Sequence, residues 1–250
     1  MASREYRKKL KKIFKYFGYD LVRLNGGLGR GTIENELVKI LNSIDVDLVL
    51  DIGANKGQFA KSLYDYGYKN RVLSFEPLPG IYDLLEKNAK NNVLWNVYER
   101  CCLGDEEKMV YLNVSNLMGN SSILEIKSTK FNVPQSHYIK KEHVPQITLE
   151  TLNENTFIKE AKNVFVKMDI QGYEHIVLSK FPQVDYNITG FYLELSLVNL
   201  YEGQRDYLYI CNRLKEFGFD LVYIEPEYII SDRMVQFNGV FLHKSLSYIT

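Results

Sequence analysis

The stretch Val49-Leu50-Asp51-Ile52-Gly53-Ala54-Asn55-Lys56-Gly57-Gln58-Phe59 limits what this chain can become more than any other. An apolar run from Val46 to Leu50 ends in an acid. A turn with two glycines follows, then Phe59, Ala60, Leu63 and Tyr64 at helical spacing. Strand, tight turn and helix in this order open a parallel α/β unit. Gly53 and Gly57 carry no Cβ, so backbone can come close to a ligand. Asp51 falls at the carboxyl end of the strand, where ligands of open α/β sheets bind. The spacing is acid-x-Gly-x-x-x-Gly. It lacks the third glycine of a dinucleotide fingerprint and the Gly-Lys-Ser/Thr ending of a phosphate loop.

Further strand and helix signals alternate along the chain. Arg71 to Pro77 reads as a second strand ending in Glu76, and Ile81, Leu84 and Leu85 begin the helix after it. Trp95 to Leu103 reads as a third strand, closed by Gly104-Asp105. Thr148 to Phe157 reads as a short helix. Asn163 to Asp169 is apolar until its end, which suits a central strand buried on both faces. Gly190 to Leu197 is a fifth strand and carries Glu194. A helix over Tyr201 to Phe217 stops at Gly218, and strands follow at Leu221 to Glu225 and Phe237 to His243. The connection Pro226 to Gln236 shows no helical pattern, so the chain should end in an antiparallel hairpin.

Two segments depart from this alternation. Residues 4–17 are basic (Arg4, Arg7, Lys8, Lys9, Lys11, Lys12, Lys15), with Leu10, Ile13, Phe14 and Phe17 on one face. A helix on an anionic membrane surface competes with a surface helix packed on the domain; the second is preferred here. Residues 24–31 are a glycine-dense connector. The segment 106–147 contains one strand-like stretch, Met109 to Val114. Beyond it, residues such as Lys127, Lys130, Phe131, Pro134, His137 and His143 show no clean period. It is expected to be an irregular insertion, a candidate lid or acceptor site. The domain division is then an N-terminal helical extension, 1–44, and one α/β domain, 45–250.

Lys and Arg total 31 and Asp and Glu total 31. This balance disfavours nucleic acid, whose binders carry a basic excess. Cys101, Cys102 and Cys211 have neither disulfide-framework nor zinc spacing, as suits a reducing cytoplasm. No apolar run approaches the ~20 residues of a transmembrane helix.

The succession Asp51-Ile-Gly-Ala-Asn-Lys-Gly57, Phe75-Glu76-Pro77, Leu103-Gly104-Asp105, Ser121-Ser122, Thr148-Leu149 and Lys167-Met-Asp-Ile-Gln-Gly-Tyr-Glu174 resembles the FkbM family of S-adenosylmethionine (SAM) methyltransferases. The last segment is its most specific part. Two of its positions depart from the family pattern: Gln171 stands where Glu is usual, and Tyr173 where Ala is usual. The resemblance spans about residues 45–245. It implies a class I SAM-methyltransferase fold, Rossmann-like, with a seven-stranded, mostly parallel sheet and a reversed last strand. It also implies methyl transfer to a hydroxyl of a sugar, a polysaccharide precursor or a natural product.

The residues expected to bind the cofactor are Asp51, Gly53, Ala54, Asn55, Gly57, Glu76, Pro77, Cys102, Leu103 and Asp169. Glu76 would accept from the ribose hydroxyls, and Cys102, Leu103 or Asp105 would lie near the adenine. Cys102 is read as a small buried side chain and not as a reactive thiol. Asp169 is the candidate at the transfer point, as base or metal ligand, with Glu194 as a second ligand for Mg²⁺. His137 and His143 are further base candidates. Lys167 and Glu174 either face the chemistry or only shape the turn. The rival readings are a methyltransferase acting on nitrogen or nucleic acid, a dehydrogenase, and a scaffold module of the same fold. The sequence says nothing of oligomeric state.

Overall fold

A computed structural model describes residues 16, 33–129, 131 and 136–246. The expected basic helix over 4–17 (Tyr16 apart) and the glycine-dense connector lie outside the described residues, as do Lys130 and Pro134. Helix α1 (Ile33–Ser43) precedes β1 (Leu48–Ile52), α2 (Gln58–Asp65), β2 (Arg71–Phe75), α3 (Pro79–Ala89) and β3 (Trp95–Val97). Next come β4 (Cys102–Gly104), β5 (Lys108–Ser115), β6 (Tyr138–Thr148), α4 (Thr156–Lys159), β7 (Val164–Met168) and α5 (Glu174–Leu178). The chain continues through β8 (Ile188–Ser196), α6 (Tyr207–Glu216), β9 (Phe219–Ile230) and β10 (Arg233–His243).

Seven strands form one sheet in the order β3-β2-β1-β7-β8-β10-β9. β1 pairs in parallel with β2 and β7, β2 with β3 and β7 with β8. β10 runs antiparallel to both of its neighbours. This is the α/β fold with a reversed last strand, as expected. Ser231 and Asp232, at φ 48° and 61°, make the tight turn between β9 and β10; two left-handed residues match the twist of a hairpin. β1 and β7 are buried throughout. Their alternate residues feed two cores: Leu48, Leu50, Val164 and Val166 on one face, Val49 and Phe165 on the other.

Helix α1 buries Ile33, Leu37, Val38 and Leu41 against Val49, Ala60 and Leu63. Residues 33–43, on the extension side of the expected 44/45 boundary, thus pack against the α/β domain.

A second, three-stranded sheet has the order β4-β6-β5, which corrects two expectations. The single strand expected over Trp95 to Leu103 is two strands in different sheets. Cys102 leaves the main sheet because it packs with Leu78, Ile81, Leu112, Val114 and Val144 in a core of its own. The expected irregular insertion, 106–147, is framed at both ends by the β5–β6 pair, which runs from Lys108↔Gln146 to Ser115↔Tyr138 with a register shift after Val114, and the stretch between the two strands has no regular strand among its described residues. The strand β6 gives little sequence signal because only its C-terminal half alternates between buried and half-buried residues.

Two helix boundaries also move. The stretch after Thr148 is a 3₁₀ turn (Glu150–Glu154) followed by α4, whose start Asn155 caps by accepting from the Phe157 and Ile158 amides. Helix α6 starts at Tyr207 and not at Tyr201, because the Asp206 side chain caps it by accepting from the Tyr209 amide at 2.9 Å.

Candidate active site

The carboxyl ends of β1, β2 and β7 converge on one crevice. After β1 the chain turns sharply: the amides of Gly53 and Ala54 both donate to the Phe75 carbonyl, at 3.1 and 2.9 Å. Gly53 has φ 73°, and a Cβ there would lie 2.0 Å from the Asp169 carbonyl oxygen. Absence of a side chain at 53 is what lets the first turn touch the turn after β7.

The crevice is a half-enclosed cavity lined by residues from all three strand ends, of the concave, mostly apolar kind that takes small molecules. Of the expected cofactor residues, Gly53, Asn55, Glu76, Pro77, Cys102, Leu103 and Asp169 line it. Sequence reasoning missed Leu78, Ile81, Leu112 and Ile123, which add apolar wall. All four come from the second sheet's own core or pack against it, so the strand β5 that carries Leu112 was the signal to follow.

Glu76 is held from both sides. One carboxylate oxygen accepts from the Asn55 amide and the other from the Leu78 amide, each at 2.9 Å. Burial outweighs these bonds and pushes the carboxyl up to about 7. The Cys102 thiol is pushed up by burial to about 12 and donates to the Pro145 carbonyl at 3.5 Å, so it is a packing group and not a nucleophile.

Asp51, Ala54, Gly57 and Asp105 are not among the residues that line the cavity. Asp51 is fully buried. In the sheet register it stands beside Ser74 on β2 and Lys167 on β7. Its carboxylate pairs with the Lys167 ammonium at 3.1 Å and accepts from Ser74 Oγ at 3.2 Å. Ser74 Oγ in turn accepts from Trp95 Nε1 at 2.9 Å. Lys167 Nζ also donates to the Gly53 and Ile52 carbonyls, at 2.8 and 3.3 Å. Burial lowers the lysine pKa, but Asp51 and Asp169 outweigh it and the net shift is upward. Lys167 thus ties the glycine turn to the sheet. Gly57 has a different use: a Cβ there would meet the Trp95 ring at 2.4 Å.

Beyond β7, Asp169 reaches the cavity wall. Its Oδ1 accepts from Gln171 Nε2 at 2.8 Å, and the same Nε2 donates to Glu194 Oε2 at 2.9 Å. Gln171 Oε1 accepts from the Tyr201 hydroxyl at 2.7 Å. Glu194 is held well above the usual carboxylate range by burial and by Asp169, Glu174 and Glu227. The expected Mg²⁺ site at Asp169 and Glu194 does not fit this arrangement, because an amide nitrogen with its donors aimed at both carboxylates fills the bridging position. Among the described residues no group of three or more His, Cys, Asp and Glu could hold a metal ion.

Glu174 shapes the turn: its Oε1 accepts from the Ile170 and Gly172 amides at 3.1 and 3.4 Å. The histidines expected as bases are elsewhere. His137 is exposed, with its backbone joined to Asn116. His143 is exposed on β6 and stacks on Tyr111, ring centroids 4.9 Å apart. Neither lines the cavity: His143 lies on β6 in the second sheet, and His137 immediately precedes that strand.

The residues present fit SAM. A buried acid with both oxygens anchored suits vicinal ribose hydroxyls, and the slot between Ile81, Leu103, Leu112 and Ile123 suits a flat base. No helix among the described residues is long and apolar enough to cross a membrane.

The chain is 24% identical over 200 residues to Methyltransferase 1 of Beauveria bassiana (strain ARSEF 2860), covering 75% of this chain and 78% of the relative. Among solved structures it is similar to a SAM-dependent methyltransferase of Clostridium acetobutylicum (8% identity, 84% of this chain and 90% of the other, TM-score 0.47). It is also similar to a candidate tRNA (m1A22) methyltransferase of Streptococcus pneumoniae solved with SAM (14% identity, 86% and 73%, TM-score 0.45). The profile of the methyltransferase FkbM domain matches residues 51–221, and the chain therefore belongs to the FkbM family of SAM-dependent methyltransferases.

Proposed function

We propose that the protein methylates oxygen: it passes the methyl group of SAM to a hydroxyl of a sugar, a polysaccharide precursor or a natural product. The observation that carries this reading is the place of Asp169. Its side chain lines the cavity while its carbonyl oxygen abuts the glycine turn. Oδ1 is engaged by Gln171, and Oδ2 accepts no hydrogen bond from the described residues.

The chemistry that bound SAM supplies is a methyl already activated on a sulfonium. The chain's own residues do the rest. Glu76 would accept from the ribose, Gly53, Asn55 and Pro77 would flank the nucleoside, and Cys102 and Leu103 would cover the base. Asp169 Oδ2 would take the proton that the acceptor hydroxyl loses as its oxygen is alkylated. Gln171 keeps Asp169 from rotating away, and positioning of this kind carries much of the rate in such reactions. The balanced charge and the small number of cations near the crevice favour a small-molecule or glycan acceptor over nucleic acid.

The test is a transfer assay with isotopically labelled SAM against nucleotide sugars, free glycosides and polyketides, with products read by mass spectrometry. Label on a hydroxyl oxygen is expected. Asp169→Asn should lower kcat by about 10²–10⁴-fold with cofactor affinity kept, and His137→Ala and His143→Ala should leave turnover within about twofold. Label on nitrogen or on RNA overturns the reading, as does full turnover in Asp169→Asn.

A further inference from the structure

One polar group in the crevice wall has no part in the site as described so far. Tyr173 lines the cavity, at one of the two positions where the chain departs from the family pattern. The residue is only 8% exposed. Its ring belongs to the same buried cluster as Phe75, Cys101 and Leu103, which also line the crevice. A buried tyrosine hydroxyl usually finds a hydrogen-bond partner. This one has none among the described residues, yet it is not sealed among protein atoms. A hydroxyl that is neither bonded nor enclosed, on a residue of the cavity wall, is free to serve a ligand.

The backbone that carries it is fixed. Glu174 Oε1 holds the amides of Ile170 and Gly172, and the Tyr173 carbonyl accepts from the Ile176 and Val177 amides at 3.0 and 3.3 Å. Gly172, at φ 92°, lies against Tyr201 and Gln204, so close that a Cβ there would stand 3.0 Å from the Tyr201 ring. The surroundings of the hydroxyl indicate which ligand group suits it. Burial, with Asp105, Cys102 and Glu106 nearby, pushes the phenol up to about 12, so it stays protonated and neutral near pH 7. Two of these neighbours are acids, and no Lys or Arg lines the crevice among the described residues. Such a potential favours a ligand edge that presents N–H over one that presents a carbonyl oxygen.

We infer that Tyr173 selects the base of the cofactor: its hydroxyl accepts from the amino group of adenine, and its ring closes the slot against bulk on that group. With the ribose at Glu76, the amino edge is the part of the base farthest from the sugar, and Cys102 is a neighbour of both the slot and the Tyr173 hydroxyl. The inference rests on the base lying beside Cys102 and Leu103, as read above, and is independent of what the acceptor is. Hypoxanthine in place of adenine would set a carbonyl oxygen toward the two acids. An alanine at 173 would leave that end of the slot open.

Calorimetry on the full-length protein tests this without turnover. S-adenosylhomocysteine is expected to bind about tenfold more tightly than S-inosylhomocysteine. Tyr173→Phe keeps the ring and removes the hydroxyl. It should weaken S-adenosylhomocysteine about three- to tenfold and S-inosylhomocysteine by less than about twofold, so the preference shrinks. Tyr173→Ala should bind S-adenosylhomocysteine carrying a benzyl group on the adenine amino nitrogen at least about tenfold more tightly than the wild type does. Mere loosening of the fold would give no such gain. Unchanged S-adenosylhomocysteine affinity in Tyr173→Phe, equal losses for the two ligands, or no gain in Tyr173→Ala overturns the inference. Ile123→Trp, which narrows the slot from a half-buried position, then tells which premise failed. Loss of S-adenosylhomocysteine binding in that variant keeps the base where it is placed and removes only the role of Tyr173; unchanged affinity removes the placing of the base as well.

Discussion

The ammonium of Lys167 and the carboxylate of Asp51 lie 3.1 Å apart on neighbouring central strands, both buried. Removing one partner leaves the other as an uncompensated charge in the core. Lys167→Met should therefore cost about 3–5 kcal/mol of unfolding free energy. Asp51→Asn should cost a comparable amount, and the double variant less than the sum. Urea denaturation of the four proteins closes this cycle. Additive losses would mean that the two groups do not depend on each other.

The raised carboxyl of Glu76 makes two pH dependences of opposite sign. Its pKa in the ligand-free fold is about 7 against an ordinary 4.5. A group raised on folding contributes stability that is fully present below 4.5 and is lost as pH rises to about 7. Ligand-free protein should lose stability across that window, and Glu76→Gln should flatten part of the loss. Glu174, raised to about 7 by burial, retains its share. Ribose hydroxyls prefer the ionised acid, so SAM affinity should rise with pH, by up to about tenfold per unit below 7, and level off above it. Calorimetry at several pH values checks this; an equally steep slope in Glu76→Gln would reject Glu76 as the ribose acceptor.

The two glycines of the first turn should fail differently. A Cβ at 53 strikes the backbone of Asp169, and a Cβ at 57 strikes the Trp95 ring and Leu85. Both positions have positive φ, so alanine is strained at each. Gly57→Ala should lower Tm by several degrees, as a loss of about 1–3 kcal/mol does, while the folded fraction binds SAM normally. Gly53→Ala should lose SAM binding as well, because the crevice itself must open. Thermal melts paired with calorimetry separate the two. Normal affinity in Gly53→Ala would mean that the contact between the turns is not needed for the site.

The amide of Gln171 stands where a cation would bridge Asp169 and Glu194. Turnover should persist within about twofold in excess EDTA, and Gln171→Glu, which replaces donors by a third acid, should acquire stimulation by Mg²⁺ or Mn²⁺. Loss of wild-type activity in EDTA, restored by Mg²⁺, would overturn this assignment.

Much of the main sheet was readable because its strands are short apolar runs punctuated by glycine and acid, as in Val164–Met168 before Asp169. Glu76 was readable because a strand end brings it to the crevice. Asp51 is harder to place from sequence, for a physical reason. An acid one residue short of a strand end looks like a ligand group, and only the cross-strand register reveals that Lys167 lies beside it. The second sheet was hidden because Tyr138–Thr148 presents charged residues along its first half. With the sheet unseen, its histidines looked free to approach the chemistry. Gln171 was noticed as a departure from pattern, but its bond to Tyr201 joins residues thirty apart in the chain, which no local spacing predicts.

The contact between Gly53 and the Asp169 carbonyl has a consequence for anyone wishing to retarget this enzyme. The turn after β1 and the turn that carries Asp169 meet at one point that tolerates no added atom, so a side chain introduced at 53 disturbs both at once. Ile126 and Leu200, on the far side of Gln171, carry no such obligation. Substitutions confined to those two positions leave the contact between the two turns untouched.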